Sequence, residues 1–309
     1  MERLILLTGV TGHSGRYAVE RLAQRQNITG GMRFRALVRG SSDVTRLQSS
    51  PLAIELVYGD IRDAVVLQSA MQGVDTVLHI VGILDSPRVM EAAVKAGVRR
   101  VILVHTTGVY SKYKSASRDY IAVDEQVTRM AEGAGIALSI LRPTMIYGDV
   151  DDQNVITFIR MMDRLPVMPV VSGARFLLQP VHRRDLGYAY ADVLLDEAAT
   201  LGKSYVLSGK EPIELRDMLV VIARYLNKRP RFFSVPYWFA IAGAWALYLL
   251  SLTKADYREK VQRLVEPRAY PHIDATRDFG YAPVDFATGV KDEVASYVAA
   301  KGASARQHI

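Results

Sequence analysis

Residues 8–15 read TGVTGHSG. They follow a short apolar run, RLILLT at 3–8, and open a stretch with helical character at 16–25. A buried strand that breaks at glycines and hands over to a helix is the phosphate-binding turn of a dinucleotide fold. Gly9 permits the tight turn, Gly12 lets backbone approach a pyrophosphate, and Gly15 lets helix and strand pack closely. The helix N-terminus, with Thr11, His13 and Ser14 around it, offers unpaired N–H groups and a partial positive charge to the phosphates. A glycine turn without ligand would share the spacing, but the strand before it and the helix after it favour the binding loop.

The pattern continues outward from this loop. Strands are expected at 33–39, 53–58, 74–81, 100–106 and 136–142, and helices at 63–72, 87–96 and 117–132. Alternating strands and helices imply right-handed crossovers and a parallel sheet. Continuous apolar runs such as VILV at 101–104 suit a sheet covered on both faces. The fold class is therefore α/β, a doubly wound parallel sheet of the Rossmann kind with a smaller C-terminal substrate lobe. Residues 1–150 form the dinucleotide-binding domain, with its sheet completed by parts of 176–208. Residues 151–309 form mainly the lobe, with helices expected at 153–164, 185–196, 213–227, 254–266 and 288–299. The tail 301–309 is expected to be disordered.

With 309 residues and 50% hydrophobic content, the chain can bury a sizeable core. The absence of cysteine excludes a disulfide scaffold, a thiolate metal site and a cysteine nucleophile. Only five apolar residues precede Thr8, too few for a signal-peptide core of roughly 7–15. A cytoplasmic location is the expectation, with membrane association as the alternative. The net charge is +7, with arginines crowding 16–46. A site for one anionic ligand is the narrower reading than a nucleic-acid surface, and no nucleic-acid partner is expected. No His-rich metal motif occurs, so no metal is expected.

Six ordered motifs resemble the short-chain dehydrogenase/reductase superfamily, in its extended branch of NAD-dependent epimerases and dehydratases. They are TGVTGHSG, YGDIRD at 58–63, VLHIVG at 77–82, HTTGVY at 105–110, LRPTMIYG at 141–148 and QPVHRRDLGYA at 179–189; the C-terminal DATRDFGYAPVDFATGV, 274–290, agrees as well. The resemblance implies cofactor contacts from Asp60 and Ile61, from Val81 and Gly82, and from Pro143 and Met145. It implies an NAD(P)-dependent oxidoreductase or epimerase acting on an alcohol/carbonyl pair, with a sugar-nucleotide or a lipophilic carbonyl as substrate. The rival from another class is an NADP-binding regulatory or assembly protein without turnover, like the NmrA-type relatives.

The second strand ends at Arg39, and no acid stands at 37–40 to meet a free ribose 2′-hydroxyl. Arg39 suits a 2′-phosphate, helped by Ser41 and Ser42. NADP is the expected cofactor, with NAD as the alternative. In the family a hydroxyl, a Tyr and a Lys four residues after the Tyr act together. The motif positions put the hydroxyl at Thr106 and the Tyr at Tyr120, but Asp124 stands at the Lys position. A carboxylate there is expected to raise the Tyr pKa rather than lower it. Tyr120 would then serve as a proton donor only, or Lys114 would substitute from the loop, with Lys112 its neighbour and Tyr110–Lys114 a displaced pair. His79 and His105 read as satisfied core histidines, His13 as an exposed loop residue, and His182 as loop support.

Residues 235–252, VPYWFAIAGAWALYLLSL, form the longest apolar run. It reads as a lobe-core or cleft-lid helix. A peripheral membrane or lipophilic-substrate surface is the alternative, and a true span the least favoured. The stretch between Gly82 and Pro87 is shorter than in typical extended members. The homodimer common among them is therefore left open.

Overall fold

The computed structural model describes residues 3–250, 262 and 265–306. Seven parallel strands form one sheet: β1 (Arg3–Thr8), β2 (Met32–Val38), β3 (Ile54–Tyr58), β4 (Thr76–His79), β5 (Arg100–Val104), β6 (Ala137–Pro143) and β7 (Tyr205–Leu207). Their spatial order is β3-β2-β1-β4-β5-β6-β7. Chain order reverses between β1 and β4, so the crossovers leave on opposite faces and open a crevice at the C-terminal ends.

Side chains of a strand alternate between faces, and β1 shows what each face buries. Ile5 and Leu7 pack with Ala18 and Leu22 of helix Gly15–Gln24 and with Leu186 and Tyr190 of helix Arg183–Leu195. Leu6 packs on the other side with Met71, Met90 and Val127. The two helices on the first face meet closely: a Cβ on Gly187 would lie 2.4 Å from the Ser14 carbonyl oxygen. That glycine therefore fixes the distance between the helix Arg183–Leu195 and the start of the helix after the glycine loop.

The lobe has its own core, where Val155, Ile156 and Ile159 meet Met218, Leu219 and Ile222, and Val290 and Val294 of the last helix. Of 176–208, Tyr205–Leu207 joins the main sheet; Val181–His182 pairs in parallel with Ile146–Tyr147, and Leu177–Leu178 antiparallel with Ile213–Glu214. Pro180, which has no N–H, separates these two-residue strands. The long helix starts at Lys114, three residues early. The last helix runs from Phe286 to Arg306, so 301–306 are helical rather than disordered, and Lys301 pairs with Asp163 of the lobe. Most of the helix expected at 254–266, and residues 307–309, lie outside the described residues.

Candidate functional site

A cleft of about 610 Å³ lies over the crevice between β1 and β4. Gly9, Thr11, Gly12, His13 and Ser14 form one side of it. Gly9 has φ +76°, and the Gly12 N–H donates to its carbonyl at 3.0 Å. A Cβ on Gly15 would lie 2.1 Å from that same oxygen. Gly9 thus serves through a positive φ and Gly15 through a close approach, and a Cβ on Gly12 would stand 3.1 Å from the Gly9 carbonyl oxygen. Helix Gly15–Gln24 has no side-chain cap and no acid in its first turn. The Arg16 and Tyr17 N–H groups already donate to the Gly12 and Ser14 carbonyls, so an anion in the cleft would be met chiefly by the positive end of the helix dipole.

Arg39 and Ser42 stand at the end of β2, and Asp60 and Ile61 follow β3, all lining the cleft. Arg39 is exposed, and Asp60 accepts from the Arg62 N–H at 2.8 Å. Val81 lines the cleft beyond β4, while Gly82 only caps a short helical turn, Ile83–Asp85. Pro143 and Met145 line a second, smaller cavity instead.

The lobe supplies a wall to the cleft that motif reading missed. Asp149 accepts from Arg16 at 3.1 Å and pairs with Arg183; His13 Nδ1 stands 3.3 Å away. This carboxylate ties the glycine loop and the helix after it to the lobe. In sequence, Asp149, Arg16 and Arg183 resemble ordinary surface charges, and only chain reversal brings them together. Behind Asp152, which also faces the cleft, Glu293 is almost wholly buried and accepts from the Gly148 N–H at 2.9 Å. Asp152 Oδ2 and Glu293 Oε1 are both buried without a hydrogen-bond partner. Burial, and then the Asp152 charge, push the Glu293 pKa up to about 9.

Unfolded, Glu293 loses its proton near 4.5. The native state therefore holds more protons across that window, and stability falls as pH rises from about 5 to about 9. Glu293→Gln, which places an amide donor toward Asp152, is expected to flatten this fall. It should stabilise the protein at pH 8 by on the order of 2 kcal/mol. Thermal unfolding from pH 5 to 9 checks this; parallel curves for both proteins would refute it.

The smaller cavity, about 310 Å³, adjoins the cleft through Ile146 and Asn154, which line both. Thr106 lines it, just beyond β5, and accepts from the Gly108 N–H at 3.0 Å. A Cβ on Gly108 would lie 3.3 Å from Thr106 Oγ1 and 3.5 Å from Tyr120 Cδ2. Thr106 and Tyr120 therefore converge on Gly108, although Tyr120 itself lines neither cavity. Tyr110 lies in a separate turn, Thr107–Tyr110, and Lys114 opens the next helix, so no single helix carries both. The side chain of Lys114 lies outside the described residues.

Asp124 is held away from the role foreseen for it. One oxygen meets His105 Nδ1 and the other accepts from Arg142 Nη2 at 2.5 Å. Burial opposes its ionisation, but the bonds from His105 and Arg142 outweigh that and hold its pKa below the usual value. Its charge is spent on Arg142, so the expected pressure on Tyr120 has no free carboxylate behind it. The Arg142 guanidinium lies 6.0 Å from the Tyr110 ring. His105 Nε2 is 3.0 Å from Ser86 Oγ. Asp124, His105 and Ser86 share the connectivity of a nucleophile triad, but Ser86 is fully buried and meets no cavity. His79 pairs with Thr8 at 2.7 Å, and burial, then His105, depress its pKa to about 3. Both histidines are thus core residues with partners. Among the described residues no cluster of metal-ligating side chains occurs.

A family model described as NAD(P)H-binding matches residues 9–168. Sterol demethylase protein B of Methylococcus capsulatus is 32% identical over 180 residues, 47% of this chain and 52% of that protein. Subunit 9 of the mitochondrial NADH dehydrogenase [ubiquinone] 1 alpha subcomplex of Arabidopsis thaliana is 24% identical over 257 residues, 77% of this chain and 61% of that one. The chloroplastic divinyl chlorophyllide a 8-vinyl-reductase of Oryza sativa subsp. indica is 25% identical over 272 residues, 81% and 65% respectively. The chain spans about half to two thirds of the length of these relatives. Among solved structures, a nucleoside-diphosphate-sugar epimerase from Pseudomonas aeruginosa has a TM-score of 0.73 at 18% identity, covering 97% of this chain and 98% of that one. This likeness establishes the fold.

Proposed function

The chain belongs to the NAD(P)H-binding family, and on that premise we propose that it is an NADPH-dependent reductase of a carbonyl compound. The observation that carries this reading is the junction of the two cavities. The larger one is lined by the glycine loop and Arg39, and Thr106 stands in the smaller one beside it. NADPH bound along the cleft would supply hydride. Thr106 would hold the substrate oxygen by one hydrogen bond, and Tyr120, which packs near Gly108 and lines neither cavity, would have to turn toward that oxygen to donate the proton as the alkoxide forms. Leu178, Met145 and Ile146 give the small cavity an apolar side and Thr144, Asn154, Gln179, Glu266 and Arg268 a polar one, which suits a carbonyl compound with both an apolar and a polar part.

Arg39 is the proposed reader of the 2′-phosphate. Its charge-assisted bond should favour NADPH over NADH by about 10–150-fold, from roughly 1.5–3 kcal/mol. Calorimetric titration should show that preference in the wild type and its loss in Arg39→Ala. Equal affinities in the wild type would sink the assignment. Consumption of NADPH with a panel of lipophilic aldehydes, ketones and quinones tests the reaction itself.

The second reading is a cofactor-binding protein without turnover. It is favoured by the commitment of Asp124 to Arg142 and His105 where the family pattern has a lysine. NADPH binding with no consumption across the panel would select it.

A further inference from the structure

The apolar run at 235–252 is not absorbed by either cavity. It folds as strand Phe232–Val235 and helix Tyr237–Leu250, and the helix contains no charged residue. Over Tyr237–Trp245 only Ala244 is buried. Trp238 is 62% exposed, Phe239 56% and Trp245 47%. Trp238, Ala242 and Trp245 stand at i, i+4 and i+7, one face of the helix. Residues 240, 241 and 244 are turned inward. Phe233, 63% exposed, lies on the approaching strand, and Arg231, two residues before it, shares its side. Arg229 and Arg231 are both exposed. An aromatic face this open is unusual on a monomer, where large apolar patches mark an interaction surface.

We propose that this face, Phe233, Trp238, Phe239 and Trp245 with Arg229 and Arg231 beside them, docks the protein onto the surface of an anionic lipid bilayer. No helix among the described residues is long and apolar enough to cross a membrane. Two features of this helix select the bilayer surface. Its exposed apolar side chains are mostly aromatic, the type that settles at headgroup depth. The charges at its edge are arginines, complementary to anionic headgroups and mismatched to a second copy of the same basic edge. Glu and Asp are absent from 228–250. This docking is independent of the cofactor site and of whether turnover occurs.

The test uses a property of the sequence. The chain has two tryptophans, and both lie on this face. Intrinsic tryptophan fluorescence therefore reports on this helix alone. Full-length protein is titrated with phosphatidylcholine vesicles, with and without one-third phosphatidylglycerol. The expected result is a blue shift with the anionic vesicles, reversed by high salt. Affinity should be about thirty-fold higher than for neutral vesicles, the conversion of ~1 kcal/mol for each of two arginines. Arg229→Glu/Arg231→Glu should abolish the preference for anionic lipid. Phe233→Ser/Phe239→Ser should abolish co-flotation, and both variants should keep NADPH affinity, which shows that they are folded. No shift with anionic vesicles would overturn the proposal. So would a protein-concentration-dependent shift without lipid, which would mark a contact between copies.

Discussion

Gly15→Ala is expected to abolish measurable nucleotide binding and to lower the melting temperature by about 5 °C. The added methyl would stand 2.1 Å from the Gly9 carbonyl oxygen and 2.7 Å from Val10 Cα. Both are backbone atoms, so no rotamer change relieves the clash. The turn or the helix must move. Moving the turn displaces Gly12, whose N–H is tied to Gly9. Moving the helix disturbs the close approach of Gly187 to Ser14, 2.4 Å from a Cβ placed there. Overpacking typically costs about 1–3 kcal/mol, and a clash against backbone on two sides belongs at or above that upper end. Either movement also re-aims the N–H groups that would meet the pyrophosphate. Thermal unfolding and NADPH titration measure the two consequences separately. An alanine variant with wild-type affinity would mean that the pyrophosphate does not lie against this loop.

Tyr120→Phe is expected to slow carbonyl reduction by about 10²–10⁴-fold, the usual contribution of a positioned proton donor. Nucleotide affinity should be unchanged, because Tyr120 does not line the cleft that would hold the dinucleotide. The hydroxyl is expected to act as donor rather than base. No lysine is present four residues on, and Asp124 is committed to Arg142 and His105. Reduction should therefore outrun oxidation near neutral pH. Installing lysine at 124 would not restore the family arrangement. It would set a second cation against Arg142 and leave His105 without its carboxylate. Single-turnover rates for wild type and Tyr120→Phe at saturating NADPH are the measurement. An unchanged reductive rate would remove Tyr120 from the chemistry and move attention to Thr106 and the other hydroxyls of the small cavity.

The glycine loop, the order of strands and helices and the end of β2 were legible because local sequence determines them. A short apolar run broken by glycines can bury itself only as a central strand, and β1 is that strand, with Leu6 and Leu7 wholly buried on opposite faces. Arg39 follows from chain position alone, since whatever ends β2 beside the first loop faces the same crevice. Motif spacing likewise placed Thr106 and Tyr120, which the structure brings to either side of Gly108. What tertiary structure alone decided is the partnership of charges. Asp149 is 133 residues from Arg16, Glu293 is 145 from Gly148, and Asp124 is 18 from Arg142. Nothing in a one-dimensional pattern separates such groups from solvated surface charges. Whether a carboxylate is free, paired or protonated depends on burial and on the nearest counter-charge, and only the folded chain sets both. The same holds for the helix at 237–250. Composition determined that it is apolar, but the packing of the lobe determined that its tryptophans face outward.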